Sequence, residues 1–252
     1  MNVSLKEKVV LVTGGSRGIG AAISKQLGES GATVAVHFRK NEKEAQEIAQ
    51  KIGNGSRVFQ ADLASSEEVI YLYEQVIAAF GHVDVLVNNA GVAVSSDFSK
   101  SDALWLEEWD VQYAVNTRAL ALLCKKAIAG MKERDGGRIV NISSRAAFRG
   151  DTLDYLAYGS SKGAIPSITR SIARYCGKDN IKAFCIAPGF VRTDMAQDFM
   201  DQYGEDFALN DIALNDLTQP KDIAPMVVLF ASGLADHATG CTIDINAASY
   251  VH

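Results

Sequence analysis

Short apolar stretches recur along the chain, and longer stretches with helical periodicity lie between them. The apolar stretches are bounded by charged residues, glycine or other turn-forming residues, which is typical of buried parallel strands. Strands are predicted in this way at residues 9–13, 33–38, 56–60, 83–88, 138–143, 182–187 and 242–246. Helices are predicted between them at residues 21–30, 41–52, 66–80, 107–130, 156–176 and 222–232.

Strands that alternate with helices predict an α/β fold, a doubly wound sheet of the Rossmann type. We expect seven parallel strands with helices on both faces. No linker, internal repeat or low-complexity tract interrupts the pattern, so residues 1–252 are predicted to form a single domain. The irregular exception is the polar, acidic segment 190–216, with scattered aromatics at Phe199, Tyr203 and Phe207. It follows a strand end, where such sheets bind ligands, and is predicted to be a substrate lid.

Composition removes several classes of function. The chain has 252 residues and a net charge of −5, and its Lys and Arg residues are scattered, so we expect no nucleic-acid partner. No apolar run approaches the roughly 18 residues of a membrane span, and no export signal is recognisable. The cysteines lack metal-ligand spacing, so free thiols and no metal site are expected at Cys124, Cys176, Cys185 and Cys241. These features favour a cytoplasmic protein.

A glycine-rich stretch follows the first strand directly and opens the first helix. Its glycines are Gly14, Gly18 and Gly20. Glycine at such positions lets the backbone approach a pyrophosphate, whose charge faces the helix N-terminus. The alternative is a plain turn between strand and helix.

The end of the second strand indicates which dinucleotide binds. NAD sites of this architecture place an acidic residue there, whereas NADP sites replace it and supply arginine. Here the second strand ends in His37-Phe38-Arg39-Lys40, and Arg17 lies within the glycine-rich stretch. Arginine binds a phosphate in a fork, so NADP(H) is favoured over NAD(H). In the alternative interpretation, Arg39 and Lys40 are solvated loop residues.

Tyr158 and Lys162 lie four residues apart in a predicted helix and therefore share one face. We expect the ammonium group to lower the pKa of the phenol, because it stabilises the phenolate. A tyrosine tuned in this way exchanges a proton with a substrate oxygen. Tyr158 is the only tyrosine in the chain that has a lysine four residues later.

Together these motifs resemble the short-chain dehydrogenase/reductase family, in its short single-domain branch that includes the 3-oxoacyl-[acyl-carrier-protein] reductases. The motifs stand in the family's order, at Thr13–Gly20, Asn88–Gly91, Asn116, Ser143-Ser144, Tyr158-x-x-x-Lys162 and Pro188-Gly189. The resemblance implies NAD(P)-dependent hydride transfer between a ketone and a secondary alcohol. It also implies a homo-oligomer, either a tetramer or a dimer.

The resemblance implies four catalytic residues. Tyr158 would act as general acid or base, and Lys162 would tune it and hold the nicotinamide ribose. Ser144 would bind the substrate oxygen, and Asn116 would hold a water that relays protons to Lys162. The implied cofactor-binding residues are Gly14, Ser16, Arg17, Gly18, Ile19, Gly20, Arg39, Asp62, Leu63, Asn88, Asn89, Ala90, Gly91, Tyr158, Lys162, Pro188, Gly189, Val191 and Thr193.

Some features depart from the family's pattern. Tyr158 follows Ser144 by fourteen residues, one more than expected, so an extra residue lies within 148–157. Ser143 is adjacent to Ser144, and only one of the two can face the site because side chains alternate along a strand. We expect Ser144 to be that residue. Arg145 and Arg149 are interpreted as surface or subunit-contact residues, with contact to an acidic substrate as the alternative. Residues 246–248 read Asn-Ala-Ala, where the family often has Asn-Gly-Gly.

The substrate stays open at this point. One hypothesis is a 3-oxoacyl thioester on acyl carrier protein, since Arg134 and Arg174 lie near positions where such reductases carry basic docking residues. A sugar, polyol or cyclic ketone is an alternative. A non-catalytic dinucleotide sensor is a hypothesis from another class, because fold does not imply function.

Overall fold

The computed structural model describes residues 3–194, 196–197, 200 and 204–251, and for residues 205 and 207 only the backbone. Phe199 and Tyr203, which the sequence places in the predicted lid, lie outside the described residues. The side chain of Phe207 does so too.

The strands form one parallel sheet. They are β1 (Val9–Val12), β2 (Thr33–Phe38), β3 (Arg57–Gln60), β4 (Val85–Asn88), β5 (Gly137–Ile142), β6 (Ile181–Pro188) and β7 (Thr242–Ile245). Their order across the sheet is β3-β2-β1-β4-β5-β6-β7, with every neighbouring pair parallel. The predicted seven-stranded sheet is confirmed. The order reverses between β1 and β4, and ligands bind at such a switch point, outside the carboxyl ends of the strands.

Helices cover both faces of the sheet. They are α1 (Gly18–Glu29), α2 (Glu42–Ile52), α3 (Ser66–Phe80), α4 (Asp102–Tyr113), α5 (Ala119–Lys132), α6 (Ala146–Arg149), α7 (Leu156–Cys176), α8 (Glu205–Leu209) and α9 (Pro220–Ser232). Val10 and Val12 of β1 pack with α1, α2 and α9, whereas Leu11 packs with α3, α5 and α7. The inner strands β1, β4 and β6 are buried on both faces, so their sequences are largely continuous apolar runs rather than alternating ones.

The stretch predicted as one helix at 107–130 is two helices joined by a wider turn. α4 begins earlier, where the Ser101 hydroxyl accepts a hydrogen bond from the Leu104 N–H at 3.4 Å. A π-helical turn, Ala114–Arg118, separates α4 from α5 and contains Asn116. Turns of this kind insert an extra residue into a helix and often occur at functional sites. Apolar periodicity does not reveal them, because the stretch stays helical on both sides.

The described residues of the segment after β6 include regular structure. Val191 pairs with Thr218 in an isolated parallel bridge, and α8 lies between them. The segment has a small apolar cluster of its own, which contains Ala196, Met200, Ala208 and Leu217. Its action as a lid stays a prediction.

The Asn-Ala-Ala sequence adopts the backbone that Asn-Gly-Gly would favour. Ala247 and Ala248 have φ angles of 52° and 59°, in the left-handed region where a Cβ is unfavourable. The Ala247 carbonyl accepts the Ala213 N–H at 2.8 Å, which ties this turn to the segment after β6.

Two further properties concern the apolar character of the helices and the state of the cysteines. No helix within the described residues combines the length and apolar character that a membrane span requires. Cys124, Cys176, Cys185 and Cys241 are all free thiols.

Candidate active site

A cavity of about 450 Å³ lies at the carboxyl ends of the strands and is called the central cavity below. It is lined by residues that follow β1 to β6. Every predicted cofactor-binding residue except Asn88 lines it, as do Ser144, Tyr158 and Lys162. The structure therefore brings together residues that are far apart along the chain.

Glycine is required where the glycine-rich stretch turns into α1. Gly14 and Gly18 have φ angles of 61° and 51°, which disfavour other residues. A Cβ added at Gly20 would lie 2.0 Å from the Gly14 carbonyl oxygen and 2.5 Å from Asn89 Nδ2. The glycine-rich stretch therefore packs closely on the start of α1, and its glycines line the cavity at this helix N-terminus, which suits an anionic pyrophosphate.

Hydrogen bonds link the residues that follow β1 to those that follow β4. Thr13 Oγ1 accepts the backbone N–H groups of Asn89 and Ala90, both at 3.0 Å. The Asn89 amide in turn donates to the carbonyls of Thr13 and Gly14, at 3.0 and 3.2 Å. Asn89 and Ala90 therefore shape the floor of the cavity through this network.

Asn88 is the predicted cofactor-binding residue that the structure does not bring to the cavity. It is buried in the sheet, where its Nδ2 donates to Asn141 Oδ1 at 2.9 Å and to Cys124 Sγ at 3.3 Å. The reason is the alternation of side chains along a strand, which directs Asn88 towards the layer of α5.

Two arginines line the end of the cavity near β2, and each has a carboxylate neighbour. Arg39 Nη1 lies 4.0 Å from Asp62 Oδ2, and Arg17 Nη1 lies 2.9 Å from Asp194 Oδ2. All four side chains are largely exposed to solvent, so these pairs are weak. Two guanidinium groups therefore line the part of the cavity where a phosphate group would enter.

The sequence places His37 at the end of the second strand, and the structure shows that its ring also contacts the glycine-rich stretch. It is buried and lines the cavity, and its Nδ1 accepts the Gly14 N–H at 2.9 Å. Its Nε2 lies 3.1 Å from the Ala61 carbonyl oxygen. Burial lowers its pKa to about 4, so the ring is neutral at physiological pH. A histidine at the end of the second strand, next to the glycine-rich turn that follows the first, is the sequence feature that could have indicated these contacts.

Tyr158 and Ser144 lie side by side in the cavity. Burial raises the pKa of Tyr158, and its hydrogen bond with Ser144 opposes that effect. Ser143 instead donates from Oγ to the Lys162 carbonyl at 2.9 Å, inside the protein. The structure thus places Ser144, and not Ser143, against the phenol.

The pKa of Tyr158 is raised rather than lowered, and Lys162 is not among the groups that shift it, so the expected lowering by Lys162 is wrong. Its Nζ donates to the Ile142 carbonyl at 3.1 Å and lies 6.0 Å from the centre of the Tyr158 ring. Burial lowers the pKa of the lysine itself to about 8. The loss of solvation by both groups outweighs the attraction that their spacing suggested.

Three hydrogen bonds hold the Asn116 side chain within the π-helical turn. Its Oδ1 accepts the Val92 N–H at 2.8 Å, and its Nδ2 donates to the Val92 carbonyl and to Ser161 Oγ, both at 2.9 Å. A Cβ at Gly91 would lie 3.1 Å from Lys162 Nζ and 3.2 Å from Asn116 Oδ1. These two polar atoms therefore converge on the same small space.

Charged side chains line the part of the cavity formed by the residues after β5, which is called the substrate side below. Arg145 is buried and lines the cavity, so its interpretation as a surface residue is wrong. It forms an ion pair with Asp211, and its Cζ lies 4.4 Å from the centre of the Phe190 ring. Arg149 binds the same carboxylate at 2.7 Å. Asp211 could not be predicted as their common partner, because it lies on a different loop.

Asp151 lies on the same side of the cavity. Burial raises the pKa of its carboxyl group, and its negative charge contributes to the raised pKa of Tyr158. Within the part of the chain that the structure describes, no three His, Cys, Asp or Glu side chains are grouped to hold a metal.

Known proteins share this sequence and architecture. The model of the short chain dehydrogenase family matches residues 8–204. The 3-oxoacyl-[acyl-carrier-protein] reductase FabG of Aquifex aeolicus is 31% identical over 249 residues, 98% of each chain. A short chain dehydrogenase from Burkholderia cenocepacia, solved with NADP, is 32% identical with a TM-score of 0.89, covering 97% of this chain and 98% of that one. A 3-ketoacyl-(acyl-carrier-protein) reductase from Brucella melitensis, solved with NADH, is 28% identical with a TM-score of 0.88, covering 98% and 100%.

Proposed function

The chain belongs to the short-chain dehydrogenase family, and from this premise we propose that it reduces a ketone to a secondary alcohol with NADPH. One observation carries the proposal. Ser144, Tyr158 and Lys162 line the same cavity as a glycine-rich helix N-terminus. Membership of the family makes the protein an NAD(P)-dependent oxidoreductase. The ketone substrate and the preference for NADPH over NADH are what we propose in addition.

The residues of the central cavity fit a dinucleotide. Gly14, Gly18 and Gly20 line the cavity at the N-terminus of α1, which suits a pyrophosphate, and Arg17 and Arg39 suit a 2′-phosphate. Further residues would hold the adenine, the ribose and the nicotinamide carboxamide, namely Asp62, Leu63, Lys162, Pro188, Val191 and Thr193. When bound, this cofactor supplies the hydride.

Tyr158 is the proposed acid of the reduction. Because burial raises its pKa, the phenol keeps its proton at neutral pH and can give it to the substrate oxygen. Ser144 would donate a hydrogen bond to the same oxygen as charge develops there. Lys162, with a pKa of about 8, is largely protonated at neutral pH and would restore the proton through the water that we assign to Asn116.

The preference for NADPH predicts a selective effect of Arg39→Ala. We expect the KM for NADPH to rise about tenfold or more and the KM for NADH to change by less than about twofold. A charge-assisted hydrogen bond to a phosphate contributes about 1.5–3 kcal/mol, and NADH has no 2′-phosphate. Steady-state kinetics with both cofactors measure the effect. Arg57→Ala removes an exposed arginine outside the cavity and serves as the control. Equal effects of Arg39→Ala on both cofactors would refute the assignment.

A polar substrate is the second candidate, and the position of Asp151 favours it. A carboxylate that lines the same cavity as the reacting phenol, and acts on its pKa, can accept a hydrogen bond from a hydroxyl next to the ketone, as in sugars, polyols and hydroxylated cyclic ketones. An unbranched acyl chain offers no such donor at that position. The carrier-protein alternative draws little support from Arg134 and Arg174, which are exposed and lie near the amino ends of β5 and β6, opposite the cavity.

This candidate predicts that Asp151→Ala discriminates between matched ketones. We expect kcat/KM for 2-hydroxycyclohexanone to fall about tenfold, and that for cyclohexanone to change by less than about threefold, because only the former loses a hydrogen bond. Asp179→Ala removes an exposed carboxylate that pairs with Lys132 and is the control. A parallel fall for both ketones would exclude hydroxyl recognition by Asp151.

The setting in the cell is also a proposal. We place the protein in the cytoplasm as a homo-oligomer, tetrameric or dimeric, by resemblance to its family. Leu104 and Leu106 on α4 are exposed apolar side chains and are available for contact with another subunit.

A further inference from the structure

His37 joins the two ends of the cavity wall that a dinucleotide would contact. The ring stands at the carboxyl end of β2 and has hydrogen bonds in two directions. On one side is the N–H of Gly14, the first residue of the glycine-rich stretch, at 2.9 Å. On the other is the carbonyl of Ala61, which directly precedes Asp62, at 3.1 Å. One side chain thus ties the pyrophosphate end of the cavity to its adenine end.

The two bonds allow a single protonation state of the ring. An N–H donates to Nδ1, so Nδ1 must be without a proton, and Nε2 must carry one in order to donate to a carbonyl. Burial, which opposes protonation of the ring, agrees with this neutral form. A protonated ring would present two N–H groups and lose the bond from Gly14.

A further bond strengthens the same corner. The Gly15 N–H donates to the backbone carbonyl of His37 at 2.9 Å. The side chain and main chain of His37 therefore accept two consecutive N–H groups of the glycine-rich stretch. Gly14 has a positive φ, which few residues adopt, and its N–H is fixed by the imidazole rather than by a strand partner.

We propose that His37 is a positioning residue for the cofactor, which holds the glycine-rich stretch in the conformation that receives the pyrophosphate. The proposal rests on the proposed function only in so far as the central cavity binds a dinucleotide. His37 takes no part in the proton transfer, and its effect is on cofactor affinity rather than on the rate at saturating cofactor.

Three substitutions separate the two hydrogen bonds. His37→Asn keeps an acceptor near the position of Nδ1, and His37→Gln keeps a donor near the position of Nε2. His37→Leu removes both. Titration of each variant with NADPH, followed by fluorescence, gives the Kd, and thermal unfolding without cofactor gives the stability. In addition, ¹⁵N NMR of the cofactor-free wild-type protein reports which ring nitrogen carries the proton.

We expect His37→Asn to bind NADPH within about threefold of the wild type, and His37→Gln and His37→Leu to bind about tenfold more weakly. The kcat at saturating NADPH should stay within about twofold in every variant that folds. The NMR spectrum should show the form protonated on Nε2.

A ring protonated on Nδ1 would overturn the proposal. The proposal would also fail if the Kd values of the variants followed their thermal stability and did not depend on whether an acceptor remains near the position of Nδ1. Failure of the proposed function has a different signature. A wild-type protein that binds NADPH but reduces no ketone would contradict the reductase and leave the comparison of Kd values intact.

Discussion

Tyr158→Phe is expected to lower kcat about a thousandfold or more and to leave the Kd for NADPH within about twofold. The substitution removes only the hydroxyl group that would give its proton to the substrate oxygen, and general acid catalysis contributes about 10²–10⁴ in rate. The phenyl ring fills the same space in the cavity, and Ser144 stays in place to bind the substrate oxygen. Single-turnover reduction of a ketone, with cofactor affinity measured separately, tests both parts of this expectation.

Tyr175→Phe is the matched control for that experiment. Tyr175 lies near the end of the same helix, α7, and is 83% exposed, so loss of its hydroxyl should change neither rate nor affinity. Activity near the wild-type level in Tyr158→Phe would remove the role assigned to the phenol.

Gly20→Ala is expected to destabilise the protein by about 1–3 kcal/mol and to weaken NADPH binding about a hundredfold. The added methyl would lie 2.0 Å from the Gly14 carbonyl oxygen, so the glycine-rich stretch must shift away from α1. Overpacking of this kind costs about 1–3 kcal/mol in well-packed regions. The larger effect should fall on binding, because the displaced backbone is the part that receives the pyrophosphate. Denaturant unfolding and NADPH titration measure the two effects.

Gly177→Ala supplies the contrast. Gly177 has helical backbone angles, and a Cβ there would meet no atom within 4 Å. We expect unchanged binding and a gain in stability of up to about 1 kcal/mol, because alanine restricts the unfolded chain more than glycine does. If Gly20→Ala bound NADPH as tightly as Gly177→Ala, the close packing of the loop on α1 would not be what forms the site.

The sheet and its main helices were predictable because strands buried on both faces appear in the sequence as short apolar runs between stretches of helical periodicity. The β2 strand and α7 were predicted with the bounds that the structure shows, Thr33–Phe38 and Leu156–Cys176. The π-helical turn around Asn116 was not predictable, because one extra residue in a turn hardly alters the apolar pattern.

The candidate site was predictable where function depends on local spacing, and less so where it depends on three-dimensional neighbours. Tyr158 and Lys162 could be paired from their spacing, but the sign of the change in the pKa of Tyr158 depends on burial. The burial of Arg145 could not be predicted for a similar reason. Its burial depends on Asp211 and Phe190, which lie on another loop of the chain.

The electrostatics of the substrate side follow from these long-range contacts. Asp151 acts to raise the pKa of Tyr158, and Arg145 acts to lower it. Both act from the loop that follows Ser144. The same loop thus bears on the acidity of the phenol and on the groups that meet the substrate.

The most direct test of the central claim is the rate at which the wild-type protein oxidises NADPH in the presence of a panel of ketones. The panel should pair simple with hydroxylated cyclic ketones and include a 3-oxoacyl thioester. The account predicts ketone-dependent oxidation of NADPH, with the corresponding secondary alcohol as product. Tight binding of NADPH without turnover of any ketone would contradict it and would indicate a dinucleotide sensor.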